Sequence, residues 1–301
     1  MKALVISGGG SKGAFAGGVA QYLIEHKKMD YDVFIGTSTG SLLVSHLALK
    51  KVEDIKQIYT NVTQDDIFSS CPFLIKKKFG VETIKINHFN VLKNLLSGSR
   101  TFGESYSLKE LIKNKITIED FNALRQSRLD VVVTVSNLSL NQVEYKSIAE
   151  FDYEEFCEWV WISCNYTPFM TLIKKNGCEY ADGGLGSMVP IEEAIKRGAK
   201  EVDAIILQTE VTQFNRMPSL NAFSLLTNMF AFMLDRIESQ NIRIGKFVAS
   251  NADAIINFYY TPTVLTTNSL IFEKEKMTEW WQRGFEFAKH KNEGVSPLEN
   301  E

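Results

Sequence analysis

The feature of this sequence that most constrains its fold is a serine framed by glycines, Gly36-Thr37-Ser38-Thr39-Gly40. Residues 31–35, just before it, form a short apolar segment typical of a buried strand, and residues 41–49 are typical of a helix. On such a turn, small residues two positions before and after the serine avoid clashes with the neighbouring backbone. The hydroxyl is then held clear of the chain at a helix N-terminus, where negative charge is favoured. The sequence therefore predicts an accessible and reactive Ser38.

A second glycine-rich turn, Gly8-Gly9-Gly10-Ser11-Lys12-Gly13, lies between a predicted strand at 2–6 and a predicted helix at 14–25. Its spacing matches the G-x-G-x-x-G pattern of dinucleotide-binding folds. Those folds need an acidic residue at the carboxyl end of the second strand to hold the ribose. Here residues 36–38 take that position, and Asp32 lies at the start of the strand. A dinucleotide-binding protein therefore remains only as an alternative interpretation.

The same glycine loop can instead present bare N–H groups to an anion at the start of a helix. Because parallel neighbouring strands place their following loops at one edge of a sheet, we expect this loop and Ser38 to face one point. The N–H groups of Gly8, Gly9 and Gly10 would then stabilise the oxyanion of an acyl-transfer intermediate. This second interpretation predicts a site for acyl transfer.

An activated serine needs a proton acceptor within hydrogen-bond distance. The four histidines of the chain are His26, His46, His88 and His290. We expect each of them to be a solvated or helix-capping residue rather than this acceptor. Asp182 is a better candidate, because it follows a predicted strand over 177–181 and precedes Gly183-Gly184. A carboxylate bonded to a serine hydroxyl can take its proton directly, although an aspartate that caps its own turn has the same local sequence.

The rest of the chain alternates strand and helix patterns, which is typical of an α/β fold with a mainly parallel central sheet flanked by helices. Further strands are predicted at 128–135, 142–146, 202–207 and 254–260. Residues 52–127 are expected to be helical and irregular. A long helix is expected over 221–248, packed in the core, with a lipid-facing or dimer surface as the alternative. Because no repeat or linker is visible, we predict a single domain over 1–301 with a disordered polar tail at 292–301.

Composition argues against several classes of function. The net charge of −3 and the hydrophobic content of 45% are ordinary for a globular protein and give no electrostatic reason to expect nucleic acid. The four cysteines show no C-x-x-C spacing, so we expect neither a disulfide framework nor a zinc site. No secretion signal or membrane-spanning segment is visible in the sequence, which predicts a cytoplasmic protein.

Three motifs occur in the order Gly8-Gly9-Gly10-Ser11-Lys12-Gly13, Gly36-Thr37-Ser38-Thr39-Gly40 and Asp182-Gly183-Gly184. With these motifs the chain resembles the patatin-like phospholipases over residues 3–195, and residues 196–291 would form the C-terminal part of the same three-layer fold. The resemblance implies that Ser38 is the nucleophile, Asp182 the base, and Gly8, Gly9 and Gly10 the oxyanion hole. The residues that would support these motifs are Lys12, Gly13, Gly36, Gly40, Gly183 and Gly184. A further stretch that resembles the family near its active site contains Ser163 and Pro168-Phe169.

The resemblance also implies a function. The implied activity is that of a lipid acyl hydrolase, which is a phospholipase A or lysophospholipase-type esterase. Such an enzyme works through an acyl-enzyme with a Ser-Asp dyad and needs no metal or other cofactor. The implied partners are a phospholipid or another lipid ester and, transiently, a membrane surface. An acyltransferase that uses the same dyad is the alternative within this class. The chain departs from the family pattern at Gly186-Ser187-Met188, where members often carry an asparagine shortly after the aspartate turn.

Overall fold

The computed structural model describes residues 1–78, 81–211, 218–219 and 222–294. Within these residues the centre of the molecule is a mixed sheet of eight strands, most of them parallel, with helices packed on both faces. This arrangement confirms the predicted α/β class with a mainly parallel central sheet.

The strands are β1 (Lys2–Ile6), β2 (Val33–Thr37), β3 (Phe73–Lys78), β4 (Val81–Ile86), β5 (Asp130–Asn137), β6 (Gln142–Ser147), β7 (Ile173–Lys175), β8 (Cys178–Asp182), β9 (Glu201–Ile206) and β10 (Ile255–Tyr260). The order in the large sheet is β10-β9-β1-β2-β5-β8-β7, and β6 pairs with β5 beside this path. The pairs from β10 to β5 are parallel, whereas β6, β7 and β8 pair antiparallel. Because β1 and β2 are parallel neighbours, as expected, the two glycine-containing loops leave the same edge of the sheet.

The helices are α1 (Gly13–Gln21), α2 (Thr39–Ala48), α3 (Val52–Asn61), α4 (Gln64–Ile67), α5 (His88–Leu96), α6 (Tyr106–Lys115), α7 (Ile118–Gln126), α8 (Tyr153–Ser163), α9 (Ile191–Lys196), α10 (Ala222–Asn251) and α11 (Lys274–Glu293). Short 3₁₀ turns cover Gly10–Lys12, Ile148–Glu150 and Gly183–Leu185, and α1 continues as a π-helical turn over Tyr22–His26. None of the helices that the structure describes combines the length and apolar character needed to cross a membrane.

Both faces of the central sheet are buried, as is usual where helices cover a parallel sheet. In β1, Leu4 and Ile6 belong to the core that packs under α1, α2, α8 and α11. Val5 points to the other core, which packs under α9 and α10. Helices α1 and α11 pack closely where Gly17 meets the ring of Trp281. A Cβ atom on Gly17 would lie 2.1 Å from this ring, so a larger residue would not fit there.

Some elements differ from the prediction. The expectation of only helical and irregular structure over 52–127 is wrong, because β3 and β4 form an antiparallel hairpin there. The three lysines at 76–78 interrupt the apolar alternation that would reveal a strand. The disordered tail is predicted to start at residue 292, but α11 continues to Glu293. Residues 295–301 of that tail, and residue 221 at the predicted start of α10, lie outside the described residues.

Candidate active site

Ser38 lies on the turn between β2 and α2, with a φ of 53° and a ψ of −120°. A residue other than glycine is strained at a positive φ, and such strain persists only where the surrounding structure enforces it. The flanking glycines make the turn possible. A Cβ on Gly36 would lie 2.3 Å from the carbonyl carbon of Gly40, and a Cβ on Gly40 would lie 2.3 Å from the carbonyl oxygen of Ile6. The turn therefore has the tight geometry expected of a nucleophile elbow.

The strained backbone of Ser38 is held by residues at the end of α8. Its N–H donates to Ser163 Oγ at 3.0 Å, and the Ser163 hydroxyl donates to the Thr134 carbonyl at 2.6 Å. The Cys164 thiol donates to the Ser38 carbonyl oxygen at 3.1 Å. Because these partners lie more than a hundred residues away in sequence, the conformation of Ser38 depends on the tertiary fold.

Asp182 is the last residue of β8, which pairs antiparallel with β5. The Ser38 hydroxyl donates to Asp182 Oδ2 at 2.6 Å. The other carboxylate oxygen, Oδ1, accepts the Gly184 N–H at 2.7 Å, and the Asp182 N–H donates to the Asn165 carbonyl at 2.9 Å. Hydrogen bonds therefore orient the carboxylate at both oxygens, and the structure brings the two residues of the predicted dyad into direct contact.

Burial changes the proton affinity of this carboxylate. Asp182 is 4% exposed, and loss of hydration raises its pKa to about 7. The hydrogen bonds from Ser38 and from the Gly184 N–H favour the charged form and oppose part of this rise. A pKa near neutrality suits a group that must take up and return a proton during one reaction cycle.

The histidines lie elsewhere. All four belong to the described part of the chain, and within that part none of them lines the cavity that contains Ser38. His46 is buried on α2 with its Nε2 3.1 Å from the Lys115 carbonyl, and burial lowers its pKa. His26 stacks on Tyr22. Among the described residues, no group of three His, Cys, Asp or Glu side chains is placed to hold a metal ion.

The glycine loop after β1 lies on the same cavity. The Gly8 N–H donates to the Met188 carbonyl at 3.2 Å, so this amide is already engaged. The N–H groups of Gly9 and Gly10 have no hydrogen-bond partner in the ranges that the structure describes. Two amides of the loop are therefore unpartnered beside the cavity, whereas the third predicted donor is occupied in this structure.

The remaining motif residues shape these loops. The Lys12 Nζ donates to the Leu207 carbonyl at 2.5 Å, which ties the glycine loop to the end of β9. Burial lowers the pKa of this ammonium group. Gly13 packs against the Thr39 side chain, and Gly183 packs against the backbone of β5. Together with Gly36 and Gly40, these residues hold the glycine loop, the serine turn and the aspartate turn against one another.

Ser38 and Asp182 open onto a cavity of about 370 Å³. Its apolar lining comes from α2, α4, β3, α6 and the loops after α8 and before α11, and it includes Leu42, Ile67, Phe73, Leu108, Phe169 and Phe272. Its polar lining, from α10, the glycine loop and the loops after β9 and β10, includes Lys12, Gln208, Glu238, Thr261, Thr266 and Asn268. The cavity is therefore amphipathic. Nothing in the local sequence around Glu238 or residues 261–269 marks them as part of it, because only the fold brings them to this edge of the sheet.

Residues 4–195 match the sequence profile of a family of lipid acyl hydrolases, which is described as patatin-like phospholipase. The match covers more than half of the chain. The chain therefore belongs to the patatin-like phospholipase family.

A solved structure supports the same fold. VipD from Legionella pneumophila superimposes with a TM-score of 0.54 at 15% sequence identity, and the alignment covers 98% of this chain and 67% of that chain. At this identity the likeness concerns the fold alone. No curated protein matches the chain by sequence.

Proposed function

We propose that the protein hydrolyses carboxylic ester bonds of phospholipids or related lipid esters, with Ser38 as the nucleophile and Asp182 as the general base. The observation that carries this proposal is the 2.6 Å hydrogen bond from the Ser38 hydroxyl to a buried carboxylate. A carboxylate at this distance can take the proton of the attacking hydroxyl without an intervening histidine. The two bare amides of the glycine loop supply the donors for the developing oxyanion.

The proposed reaction has two halves. Ser38 Oγ attacks the ester carbonyl carbon while its proton passes to Asp182 Oδ2, and the N–H groups of Gly9 and Gly10 stabilise the charge on the carbonyl oxygen. Asp182 returns this proton to the departing alcohol oxygen, which leaves an acyl-enzyme. A water molecule then attacks the acyl carbon and gives a proton to Asp182, and the fatty acid is released as Ser38 recovers its proton. An alcohol in place of that water would make the same residues an acyltransferase.

The amphipathic cavity supports a lipid ester as substrate. Next to it lies a second cavity of about 50 Å³, lined mainly by apolar side chains of α2, α3 and α6. The two cavities share the side chains of Leu42, Tyr59, Ile67, Leu108 and Phe272. We infer that the acyl chain lies along the apolar wall beside Ser38 and extends toward this second cavity, where burial of each methylene contributes about 0.8 kcal/mol.

The first half of α10 supports transient contact with a membrane surface. Ala231 and Leu234 line the cavity on one side of this helix. Met229 and Phe232 on the same stretch are 54% and 59% exposed. Large apolar side chains in solvent are typical of a surface that meets another apolar phase. A lipid held at this surface would therefore be separated from the cavity by one helix.

The test is hydrolysis of a defined phosphatidylcholine in mixed micelles, with the products identified by mass spectrometry. Wild-type protein is expected to release a free fatty acid and a lysophospholipid. Ser38→Ala is expected to release less than a few per cent of this amount, whereas Ser97→Ala, at an exposed serine away from the cavity, is expected to match the wild type. Undiminished hydrolysis by folded Ser38→Ala would place the nucleophile elsewhere. Acyl transfer to an added alcohol as the main product would favour the acyltransferase.

A further inference from the structure

The cavity wall contains a buried carboxylate that the proposed reaction does not use. Glu238 lies on α10, is 3% exposed, and lines the cavity that contains Ser38. Its Oε1 atom is buried and has no hydrogen-bond partner among the described residues. Burial raises the pKa of this carboxyl group to about 7.

A positive charge lies on the same wall. The Lys12 ammonium is buried and donates to the Leu207 carbonyl. Lys12 and Glu238 form no salt bridge among the ion pairs of the described residues, although each side chain favours the charged form of the other. The cavity therefore contains a lysine and a partly ionised glutamate, which attract each other but make no direct contact.

An unpartnered carboxylate in a protein interior is costly. Buried polar groups are nearly always hydrogen-bonded, and a buried charge needs an opposite charge or donors of its own. Glu238 Oε1 has no hydrogen-bond donor among the described residues, and Lys12 attracts the carboxylate without contacting it, yet Glu238 faces a cavity large enough for a ligand. A group that brings N–H donors and a positive charge would therefore complete the site at Glu238, and a negatively charged group would be favoured only on the side of Lys12.

We propose that Glu238 binds the primary ammonium group of a phospholipid headgroup, such as that of phosphatidylethanolamine, with the phosphodiester on the side of Lys12. This proposal rests on the proposed lipid hydrolysis and adds a headgroup preference to it. The ammonium carries three N–H donors for the carboxylate oxygens. A choline group would supply the charge without these donors, and a glycerol headgroup would supply hydroxyl donors without the charge.

The experiment compares phosphatidylethanolamine with phosphatidylglycerol, both with the same acyl chains and in the same mixed micelles. Wild-type protein is expected to have a higher kcat/KM for phosphatidylethanolamine. Glu238→Gln removes the charge and keeps the shape, so it should lower the ratio of the two kcat/KM values by about 10-fold or more, mainly through the KM for phosphatidylethanolamine. Glu238→Asp keeps the charge and should retain part of the preference.

The matched control is Glu279→Gln, which removes a carboxylate with a 63% exposed side chain on α11, outside the cavity. This variant should keep the wild-type ratio. An equal ratio in wild type and folded Glu238→Gln, with lipid hydrolysis intact, would overturn the headgroup site and leave the proposed hydrolysis standing. Absence of lipid hydrolysis in the wild type would instead overturn the proposed function.

A measurement on the wild type alone covers the case in which the variants do not fold. O-phosphoethanolamine and glycerol 3-phosphate are compared as protectants of Ser38 against a fluorophosphonate probe. Protection by phosphoethanolamine at a concentration at least several-fold lower than that of glycerol 3-phosphate is expected, because only the former brings an ammonium to Glu238. Equal protection by the two compounds, or none by either, would contradict the proposal.

Discussion

At the scale of single residues, a strained backbone and a hydrogen bond to a buried carboxylate occur together at Ser38. The positive φ of Ser38 directs its hydroxyl away from the chain. That conformation is held by the hydrogen bond that the Ser38 N–H donates to Ser163 and by the one that its carbonyl oxygen accepts from Cys164. Asp182 is kept from water, which raises its proton affinity, while Ser38 and Gly184 keep it oriented. Strain and burial both cost folding free energy, and both are placed where an acyl-transfer site would use them.

The pH dependence of ester hydrolysis follows from the pKa of Asp182. Because the carboxylate must be ionised to accept the Ser38 proton, kcat/KM should rise about tenfold per pH unit below neutrality and level off above a pKa of about 7. The measurement is kcat/KM on a soluble ester from pH 4.5 to 9. An acid limb near pH 4 would mean that the carboxylate has the proton affinity of an exposed aspartate, which would contradict the environment described above.

The same carboxylate links stability to pH. Asp182 has a higher pKa in the folded protein than in the unfolded chain, so folding is most favourable where the group is protonated in both states. Stability is lost as pH rises from about 4 to about 7, at about 1.4 kcal/mol for each unit of pKa difference. Asp182→Asn removes this loss. The unfolding temperature of the variant minus that of the wild type should therefore be larger at pH 8 than at pH 5. The two temperatures are measured by thermal unfolding, and an equal difference at both pH values would contradict the assigned pKa shift.

At the scale of elements, α2, α3 and α6 form the apolar side of the site, and their side chains line the second cavity. Leu111 lines this cavity but not the one that contains Ser38. Leu111→Trp would fill space that we assign to the end of the acyl chain. If two methylenes lose their burial, kcat/KM for a C16 ester should fall about 10-fold relative to a C4 ester.

The chain-length profile of p-nitrophenyl esters measures this effect. Leu140→Trp, at a 56% exposed leucine on the turn between β5 and β6, is the matched control and should keep the wild-type profile. An equal loss on short and long esters in Leu111→Trp would indicate general damage to the site. An unchanged profile would mean that the acyl chain does not enter the second cavity.

Helix α10 carries the proposed membrane contact. Phe232→Glu places a charge on the exposed side of its first half, next to the cavity wall, and should reduce co-sedimentation with phospholipid vesicles several-fold. Phe247→Glu makes the same change at a 68% exposed phenylalanine toward the other end of the helix and should have little effect. Equal binding by both variants and the wild type would exclude the first half of α10 as the contact.

At the scale of the whole molecule, the motifs of the candidate site were predictable because each is a local pattern. The serine turn and the aspartate turn each follow a strand, and glycines mark both of them. The alternation of strand and helix patterns in the sequence predicted the mainly parallel sheet. The direct contact between Ser38 and Asp182 joins residues 144 positions apart, so the sequence predicted the pair but only the fold supplies its geometry.

Other parts of the site were not predictable in this way. The sequence does not predict the hairpin of β3 and β4, because no short turn motif marks its pairing and the lysines at 76–78 resemble a solvated loop. Glu238 lies on a long helix far from every motif, and its burial arises from packing against loops that follow other strands. The occupied amide of Gly8 depends on the Met188 carbonyl, which follows the aspartate turn and reaches the glycine loop only in the folded protein.

The most direct test of the Ser38-Asp182 dyad is the site and rate of covalent labelling by a fluorophosphonate, read by peptide mass spectrometry. We predict one label per chain, on Ser38, at a rate that falls by about 10²–10⁴-fold in Asp182→Asn because the proton acceptor is lost. The variants His26→Asn, His46→Asn, His88→Asn and His290→Asn should label at close to the wild-type rate. A label on another residue, or a folded histidine variant that labels as slowly as Asp182→Asn, would contradict a dyad in which Asp182 alone activates Ser38.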